Sequence, residues 1–333
     1  MAYPVFDLHC DTADRLAWQF LDPEFKEVTQ QDFYGPGDDR SPQDCCELAR
    51  SHNHISLEKV DGTPWAQCFA CYIPDALPPQ MCEAFYRQVS DLLDGQIAKN
   101  ADRVAFADTA AGIRPLLDAG KTVAVRTIEN ARLFAADPGL VETLAAQGLL
   151  MASLSWNARG PLASGHDVED AGITALGAEV IERMDAAGVV LDVSHLNDTC
   201  FADVVRLTDR PFVASHSNSR AVWDHKRNLT DAQAAEIRDR GGLIGLNFTR
   251  YFIGPDDPDF DVFSRHVEHL LDMGCEGVLA LGSDFDGTTT PSFIADSSLM
   301  PAFQRSMAER FGEDVARRVC AENALAFFEA NCR

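Results

Sequence analysis

His9 and Asp11 lie in the string FDLHCD, within the first dozen residues of this 333-residue chain. Their i, i+2 spacing directs both side chains to the same side of a β-strand. The residues that lead to them are mostly apolar, so the strand is expected to be buried. An imidazole and a carboxylate delivered together offer the nitrogen and oxygen donors that divalent transition metals bind. The pair therefore indicates a metal site at a strand end.

Four later segments repeat this pattern of an apolar run followed by one metal-binding type of residue. The residues at their ends are Glu129 after TVAVRTI, His195 after VVLDVS, His216 after PFVAS and Asp284 after VLALGS. Each alone has an ordinary explanation, such as a buried hydrogen-bonded histidine, a carboxylate at a helix start or a turn aspartate. Together they favour a metallohydrolase with two ions about 3.5–4 Å apart, bridged by Glu129. Asp284 would then hold or shuttle the proton that the bridging water loses.

The elements that would position these residues are short apolar strands separated by helical patterns. Strands are expected near residues 4–9, 66–73, 122–128, 149–155, 189–194, 211–215, 243–248 and 278–283. Such alternation indicates parallel βαβ units, and eight candidates favour an α/β fold with a single closed (β/α)8 barrel over residues 1–333. Residues 20–60 and 250–262 interrupt the alternation. They predict a somewhat distorted barrel with loop insertions after strands 1 and 7, the first carrying a short helix near 45–50.

Composition and charge exclude several classes of partner. The formal net charge is −24 and the isoelectric point is near 4.6, which argues against binding to nucleic acid or to an anionic membrane surface.

The start MAYPVFD lacks the features of a signal peptide, and no apolar run approaches the length of a membrane span. A cytoplasmic location with reduced cysteines is expected. The C-x2-C pair at 68 and 71 is interpreted as part of a strand, because a second pair at zinc-finger spacing is missing.

Seven motifs carry a resemblance to a known family. They are FDLHCDT, RTIEN, LSWN, LDVSH, ASHSNSRAV, RNLTD and GSDFDG, which follow one another along nearly the whole chain. In them the chain resembles the renal, or membrane, dipeptidases, zinc metallopeptidases related to the amidohydrolases, and specifically a bacterial-type member. The resemblance implies a distorted (β/α)8 barrel that binds two zinc ions, or other divalent metals, through His9, Asp11, Glu129, His195 and His216. It also implies that Asp284 is the acid/base and that Arg227 binds the terminal carboxylate of a dipeptide.

The chain departs from the family pattern at three places. Trp156, in LSWN, stands where mammalian members have a histidine that contacts the substrate, and an indole can only donate a hydrogen bond. We expect Trp156 to contact the substrate, to narrow the pocket and so to change substrate preference. Asn228, the neighbour of Arg227, is also expected to contact the substrate. Asn130–Ala131 replaces a glycine pair, and the tail motif reads AENALAFF. Neither of the last two changes affects the implied metal ligands.

The sequence therefore predicts zinc-dependent hydrolysis of dipeptides by a metal-bound hydroxide, with L-Xaa-D-Xaa dipeptides as plausible substrates. Two alternatives stay open. One is a related binuclear amidohydrolase that acts on another small amide, lactam or ester. The other is a metal-retaining binding protein without turnover. The expected partner is a small dipeptide, and a homodimer is one open arrangement of the chain.

Overall fold

Nine parallel strands form the sheet of this protein, whose computed structural model describes residues 3–33 and 40–332. The strands are β1 (Val5–Cys10), β2 (Trp65–Tyr72), β3 (Val104–Phe106), β4 (Thr122–Glu129), β5 (Leu149–Ser153), β6 (Val190–Asp192), β7 (Val213–Ala214), β8 (Leu243–Leu246) and β9 (Leu279–Leu281). Eight of them follow the order β2-β1-β9-β8-β7-β6-β5-β4, and pairing between β2 and β4 closes the ring. The predicted (β/α)8 barrel is thus confirmed, and the cysteines of the C-x2-C pair lie in β2 as a strand requires.

The strand β3 was not expected from the sequence. Its three residues pair with Thr122–Ala124 of β4, whereas β5 pairs with β4 from Arg126 onward. Since β2 occupies the other edge of β4, β3 and β5 share one edge and widen the barrel wall at that point. Three residues are too few to show an alternating pattern, so sequence periodicity could not reveal this strand.

Helices surround the barrel. They are α1 (Thr12–Ala17), α2 (Pro23–Phe33), α3 (Pro79–Lys99), α4 (Ala110–Asp118), α5 (Leu140–Ala146), α6 (Ala175–Ala187), α7 (Asp198–Leu207), α8 (Asp231–Asp239), α9 (Arg250–Ile253), α10 (Phe260–Asp272), α11 (Met300–Phe311), α12 (Glu313–Arg317) and α13 (Asn323–Asn331), with a π-helical turn at Arg318–Glu322. Gly188 ends α6 at φ 72°, a left-handed conformation that glycine adopts without strain. Among the described residues, no helix is long and apolar enough to cross a membrane.

The two insertions contain more helix than the sequence predicted. The segment after β1 carries α1 and α2, and the segment after β8, the seventh predicted strand, carries α9. The short helix expected at 45–50 is wrong, because this segment consists of bends and turns. Its chain doubles back, with His52 N donating to Asp44 O and Leu57 N to Leu48 O, both at 2.9 Å. Such distant partners take the place of helical i→i+4 bonds.

An apolar layer fills the barrel below the strand ends. Val123 and Val125 occupy alternate positions of β4 before Glu129, so the three side chains point to the same side of the strand. Both valines belong to a buried cluster that also includes Phe6 and Phe328. The rings of these two phenylalanines are 5.0 Å apart, so α13 covers one end of the barrel interior. The polar residues at the other end of the barrel therefore lie above a closely packed apolar layer.

Candidate metal centre and active site

The ends of β1 and β9 are joined by backbone hydrogen bonds. Asp11 N donates to Phe285 O at 2.9 Å, and Asp284 N donates to His9 O at 3.2 Å. Below them, the buried Asp7 carboxylate accepts from the backbone N and the hydroxyl of Ser283 at 2.8 and 2.6 Å. These contacts place Asp284 beside the His-x-Asp pair, although 273 residues or more separate them in the chain.

Glu129 lies at the centre of the candidate site. Its Oε2 is 3.6 Å from His9 Nε2, which is 3.5 Å from Asp11 Oδ2. Its Oε1 is 2.7 Å from His195 Nε2 and 3.7 Å from His216 Nε2. All five side chains are buried. One glutamate thus joins two candidate metal sites, His9–Asp11–Glu129 and Glu129–His195–His216, each with ligand atoms within 4.8 Å of one another.

Asp284 lies beside this pair of sites. Together with His9 and His216 it forms a third group of potential ligand atoms within 4.8 Å. Its Oδ2 accepts from Thr249 Oγ1 at 2.7 Å and from Asn247 Nδ2 at 3.1 Å. These two donors fix one oxygen of the carboxylate. The structure therefore brings together the five predicted ligands and the predicted acid/base.

The backbone is strained at several of these positions. Asn130, His195 and Asp284 adopt φ values of 60°, 69° and 61°. Residues other than glycine rarely have positive φ, and such strain often occurs where function fixes the side chain. Asn130 directly follows Glu129, where the family pattern has glycine. Its Nδ2 donates to Ile73 O at 2.6 Å and to Asp75 Oδ1 at 2.9 Å, which stabilises this conformation.

Both histidines of the second site are oriented by partners at Nδ1. His216 Nδ1 lies 2.7 Å from Ser215 Oγ, and that hydroxyl donates to Asp192 Oδ2 at 2.5 Å. The serine oxygen therefore accepts from an Nδ1–H group, which leaves a lone pair on Nε2. In His195, Nδ1 lies 2.9 Å from Asn157 Oδ1. Partners of this kind fix the tautomer and orientation of metal-binding histidines.

Sequence reasoning missed Ser215, Asp192 and Asn157. Ser215 and Asp192 lie inside the motifs ASHSNSRAV and LDVSH, but their proximity depends on how β6 pairs with β7, where Asp192 faces Val213. Asn157 ends the motif LSWN, and an asparagine in that place is equally typical of a turn. All three are polar residues close to the end of a strand, and this position is the signal that could have revealed them.

The donor set fits divalent cations. The Nε2 atoms of His195 and His216 are 2.9 Å apart and both approach the Glu129 carboxylate. With their protons on Nδ1, the facing lone pairs repel unless a cation lies between them. In the first site, His9 Nε2 and Asp11 Oδ1 are buried, and neither has a hydrogen-bond partner among the described residues. Nitrogen and carboxylate donors with free lone pairs are what zinc and similar metals bind.

The pKa shifts of the site residues also favour bound cations. Burial, reinforced by nearby cationic groups, lowers the pKa of His195 and His216 well below the usual value, which keeps both imidazoles neutral as ligands must be. Burial also raises the pKa of Glu129 well above its usual value. At His9 burial opposes protonation, but the Asp11 and Glu129 carboxylates outweigh it and raise the pKa to about 10, so a metal ion that binds this imidazole must displace a proton from it. The buried acidic groups thus require positive charge, which bound metal ions would supply.

A cavity of about 390 Å³ opens onto the cluster. Arg227 lines it with a side chain that is almost completely buried, and its Nη2 donates to His216 O at 3.3 Å. Arg227 Nε has no hydrogen-bond partner in the described part of the chain. Trp156 also lines the cavity, with its ring 5.0 Å from that of Tyr72 and 6.2 Å from that of His195. Both residues are placed where a substrate could reach them.

Asn228 is not among the described residues that line this cavity. Its Nδ2 donates to Trp223 O at 2.9 Å and to Phe252 O at 2.8 Å. The amide therefore ties together the backbone around Arg227 and α9. Its Oδ1 is buried and has no hydrogen-bond partner among the described residues, so the contact of Asn228 with the substrate stays a prediction.

Comparison with known proteins identifies the family. The profile of the membrane dipeptidases, Peptidase family M19, matches residues 1–331. The chain belongs to this family. An uncharacterised protein from the pqqA 5′ region of Klebsiella pneumoniae is 31% identical over 238 residues, which cover 68% of this chain and 88% of that protein. Dipeptidase verJ of Clonostachys rogersoniana is 24% identical, with 80% of this chain and 72% of verJ covered.

Solved structures agree with this assignment. The dipeptidase AC, a metallopeptidase of family M19, has a TM-score of 0.84 and 28% identity, covering 100% of this chain and 99% of that one. A metallopeptidase from Rhodobacter sphaeroides, liganded with a phosphinate mimic of the dipeptide L-Ala-D-Ala, has the same TM-score and identity, with 99% and 100% covered. The chain is thus a peptide-bond hydrolase of a family of metal-dependent dipeptidases.

Proposed function

We propose that this protein is a binuclear zinc dipeptidase that accepts L-Xaa-D-Xaa dipeptides. The observation that carries the proposal is the position of Glu129, whose two carboxylate oxygens face His9 on one side and His195 and His216 on the other. A carboxylate with separate partners for each oxygen is suited to bridge two metal ions. The D-residue is supported by the relative from Rhodobacter sphaeroides, which binds a mimic of L-Ala-D-Ala.

The ligands proposed for the two ions are His9, Asp11, Glu129, His195 and His216. The chemistry that the bound metals supply is polarisation of the amide carbonyl and activation of a water near neutral pH. Asp284 would accept the proton of the attacking water and then protonate the leaving amine. Its Oδ2 is held by Thr249 and Asn247, so Oδ1 is the oxygen left to move the proton.

Arg227 is proposed to bind the terminal carboxylate of the dipeptide. A guanidinium group matches a carboxylate because its planar array of N–H donors can form two parallel hydrogen bonds. Burial lowers the pKa of Arg227, while the Asp284 and Glu129 carboxylates raise it and favour the charged form. A fixed cation at the cavity wall would select substrates that carry a free carboxylate. Trp156 would then restrict the width of the same cavity.

The test is a dipeptide library with L,L and L,D members and matched dipeptide amides, assayed on zinc-reconstituted protein. Arg227→Met should lower kcat/KM for dipeptides by roughly 10–150-fold, because a charge-assisted hydrogen bond contributes about 1.5–3 kcal/mol. Dipeptide amides should show the same loss with the wild type, and the two losses should not add. Arg206→Met, at an exposed ion pair with Asp203, is the matched control. Equal cleavage of dipeptides and amides would contradict the proposal and favour a broader amidohydrolase.

The cytoplasmic location of the protein and its assembly into a homodimer stay predictions.

A further inference from the structure

His166 lies in the segment between β5 and α6 and lines the same cavity as Arg227 and Trp156. Its side chain is only 13% exposed, yet its Nδ1 has no hydrogen-bond partner among the residues that the structure describes. Of the two further histidines at the cavity wall, His195 has a partner at Nδ1 in Asn157, and His225 Nδ1 accepts from Arg227 N at 3.1 Å. A buried polar atom without a partner carries a desolvation cost, which a ligand in the cavity relieves when the ring turns this nitrogen towards it.

The ring of His166 is close to the proposed metal ligand His195 and to His225, two residues before Arg227. It is 6.0 Å from the ring of His195 and 6.4 Å from that of His225. Burial lowers the pKa of His166 to about 3, and Arg227 contributes in the same direction. The imidazole is therefore neutral at physiological pH and carries a single N–H. His166 and Arg227 line the same cavity, so an anion bound there can be shared by both.

Nothing rigid determines which nitrogen carries the proton. His166 Nε2 is 3.5 Å from Asp167 Oδ1, which is longer than a good hydrogen bond, and the Asp167 side chain is 65% exposed to water. A neutral imidazole can place its proton on either nitrogen. A carboxylate in the cavity would thus favour the tautomer with the proton on Nδ1, since that nitrogen would then donate to the anion.

We propose that His166 donates a hydrogen bond from Nδ1 to the terminal carboxylate of the substrate and acts as a second specificity contact beside Arg227. This inference rests on the proposed dipeptidase function. In this proposal the carboxyl-terminal residue of a dipeptide lies between the metal cluster and Arg227, in the cavity that His166 also lines. The hydrogen bond is worth more to substrates with a free carboxylate than to their amides, because the neutral amide carbonyl accepts a weaker one.

The choice of variants follows from the surroundings of His166. The residue also borders a second cavity of about 270 Å³, lined in addition by Val168, Arg220 and Lys226. Truncation to alanine would change the shape of both cavities as well as remove the donor. His166→Phe keeps the bulk and removes both nitrogens. His166→Asn places an amide N–H₂ near the position of Nδ1 and therefore retains a donor.

Steady-state kinetics on a dipeptide such as L-Ala-D-Ala and on its amide test the proposal. We expect His166→Phe to raise KM for the dipeptide roughly 10- to 100-fold, as for loss of a hydrogen bond to a charged group. His166→Asn should stay within about threefold of the wild type. KM for the amide should change much less than KM for the dipeptide, and the metal content should be the same in both variants and the wild type. His52→Asn, at a mostly exposed histidine, serves as the matched control.

Binding can be followed without turnover. In ¹⁵N-histidine-labelled metal-free protein, D-alanine should shift the His166 Nδ1 resonance towards the protonated position, and D-alaninamide should shift it much less. Unchanged dipeptide KM in His166→Phe, together with an Arg227→Met protein that loses activity, would overturn the role of His166 and leave the dipeptidase assignment intact. A wild type that cleaves no dipeptide would instead overturn the proposed function, and the D-alanine titration would still decide whether His166 contacts a carboxylate.

Discussion

Asn157 Oδ1 lies 2.9 Å from His195 Nδ1, on the opposite side of the imidazole from Glu129. The position of the asparagine is itself fixed, because Asp75 Oδ2 accepts from the backbone N of the next residue, Ala158, at 3.0 Å. The Asn157 oxygen accepts the Nδ1 proton and thereby directs the Nε2 lone pair of His195 to the carboxylate. One amide thus orients a proposed metal ligand without touching the metal.

Replacing Asn157 by alanine should therefore weaken metal binding. Loss of such an orienting partner usually lowers metal affinity by about 10–100-fold. Asn157→Asp keeps an oxygen acceptor and should retain most of the affinity. Competition with a chelator of known zinc affinity measures this directly, and Asn331→Ala, whose side chain donates to Phe327 O in α13, is the control. Equal zinc affinity in Asn157→Ala and the wild type would show that Asn157 has no orienting role.

Asp284→Asn should keep its metal and lose turnover. The amide cannot accept a proton, so kcat should fall by roughly 10²–10⁴-fold, the usual contribution of a general acid/base. Thr249 and Asn247 would still hold the side chain in place. Measured kcat and metal content on the same preparation separate the two effects. Near-normal kcat would move proton transfer to another group.

The neighbouring Asp286 should behave differently. Its Oδ1 accepts from Arg40 Nη1 at 2.8 Å and from His54 N at 2.7 Å, and its Oδ2 accepts from Thr12 Oγ1 at 2.6 Å. These contacts attach the insertion after β1 to the end of β9. Asp286→Asn is therefore expected to lower the free energy of unfolding by about 1–3 kcal/mol. Chemical denaturation measures it, and a loss of kcat as large as that of Asp284→Asn, without such destabilisation, would contradict this structural role.

His266 should make stability depend on pH. It is buried between Ser219 N, which donates to Nδ1 at 3.2 Å, and Ile253 O, 2.9 Å from Nε2. Burial lowers its pKa to about 4, below the unfolded value of about 6.5. Its contribution is complete above pH 6.5 and is lost as the pH falls towards 4, because only the unfolded chain then binds a proton.

The measurement is urea denaturation of metal-free wild type and His266→Gln at pH 7 and pH 5. The wild type should lose about 2 kcal/mol more than the variant between these values, since glutamine does not titrate. The comparison isolates the titration of His266, because the variant lacks only this proton-binding site and the proposed metal ligands are the same in both proteins. Parallel losses in the two proteins would show that His266 titrates normally in the folded state.

The barrel and the five proposed ligands could be predicted from sequence because both depend on local pattern. A buried strand followed by one polar residue is visible in TVAVRTIE, and the parallel barrel brings all such ends to one face. Segments whose structure depends on contacts between residues distant in the sequence could not be predicted. The helix expected at 45–50 failed because bonds such as Leu57 N to Leu48 O decide that segment. His166 was overlooked because no strand leads to it.

Zinc titration of chelator-treated protein, with dipeptide turnover and bound metal measured on the same samples, tests the binuclear account most directly. The account predicts that turnover is lost without metal, rises with added zinc and reaches its maximum at about two ions per chain. His195→Ala and His216→Ala should bind less metal under the same conditions. Full turnover in protein that holds no metal, or a maximum at one ion with no further binding, would contradict the bridging role of Glu129.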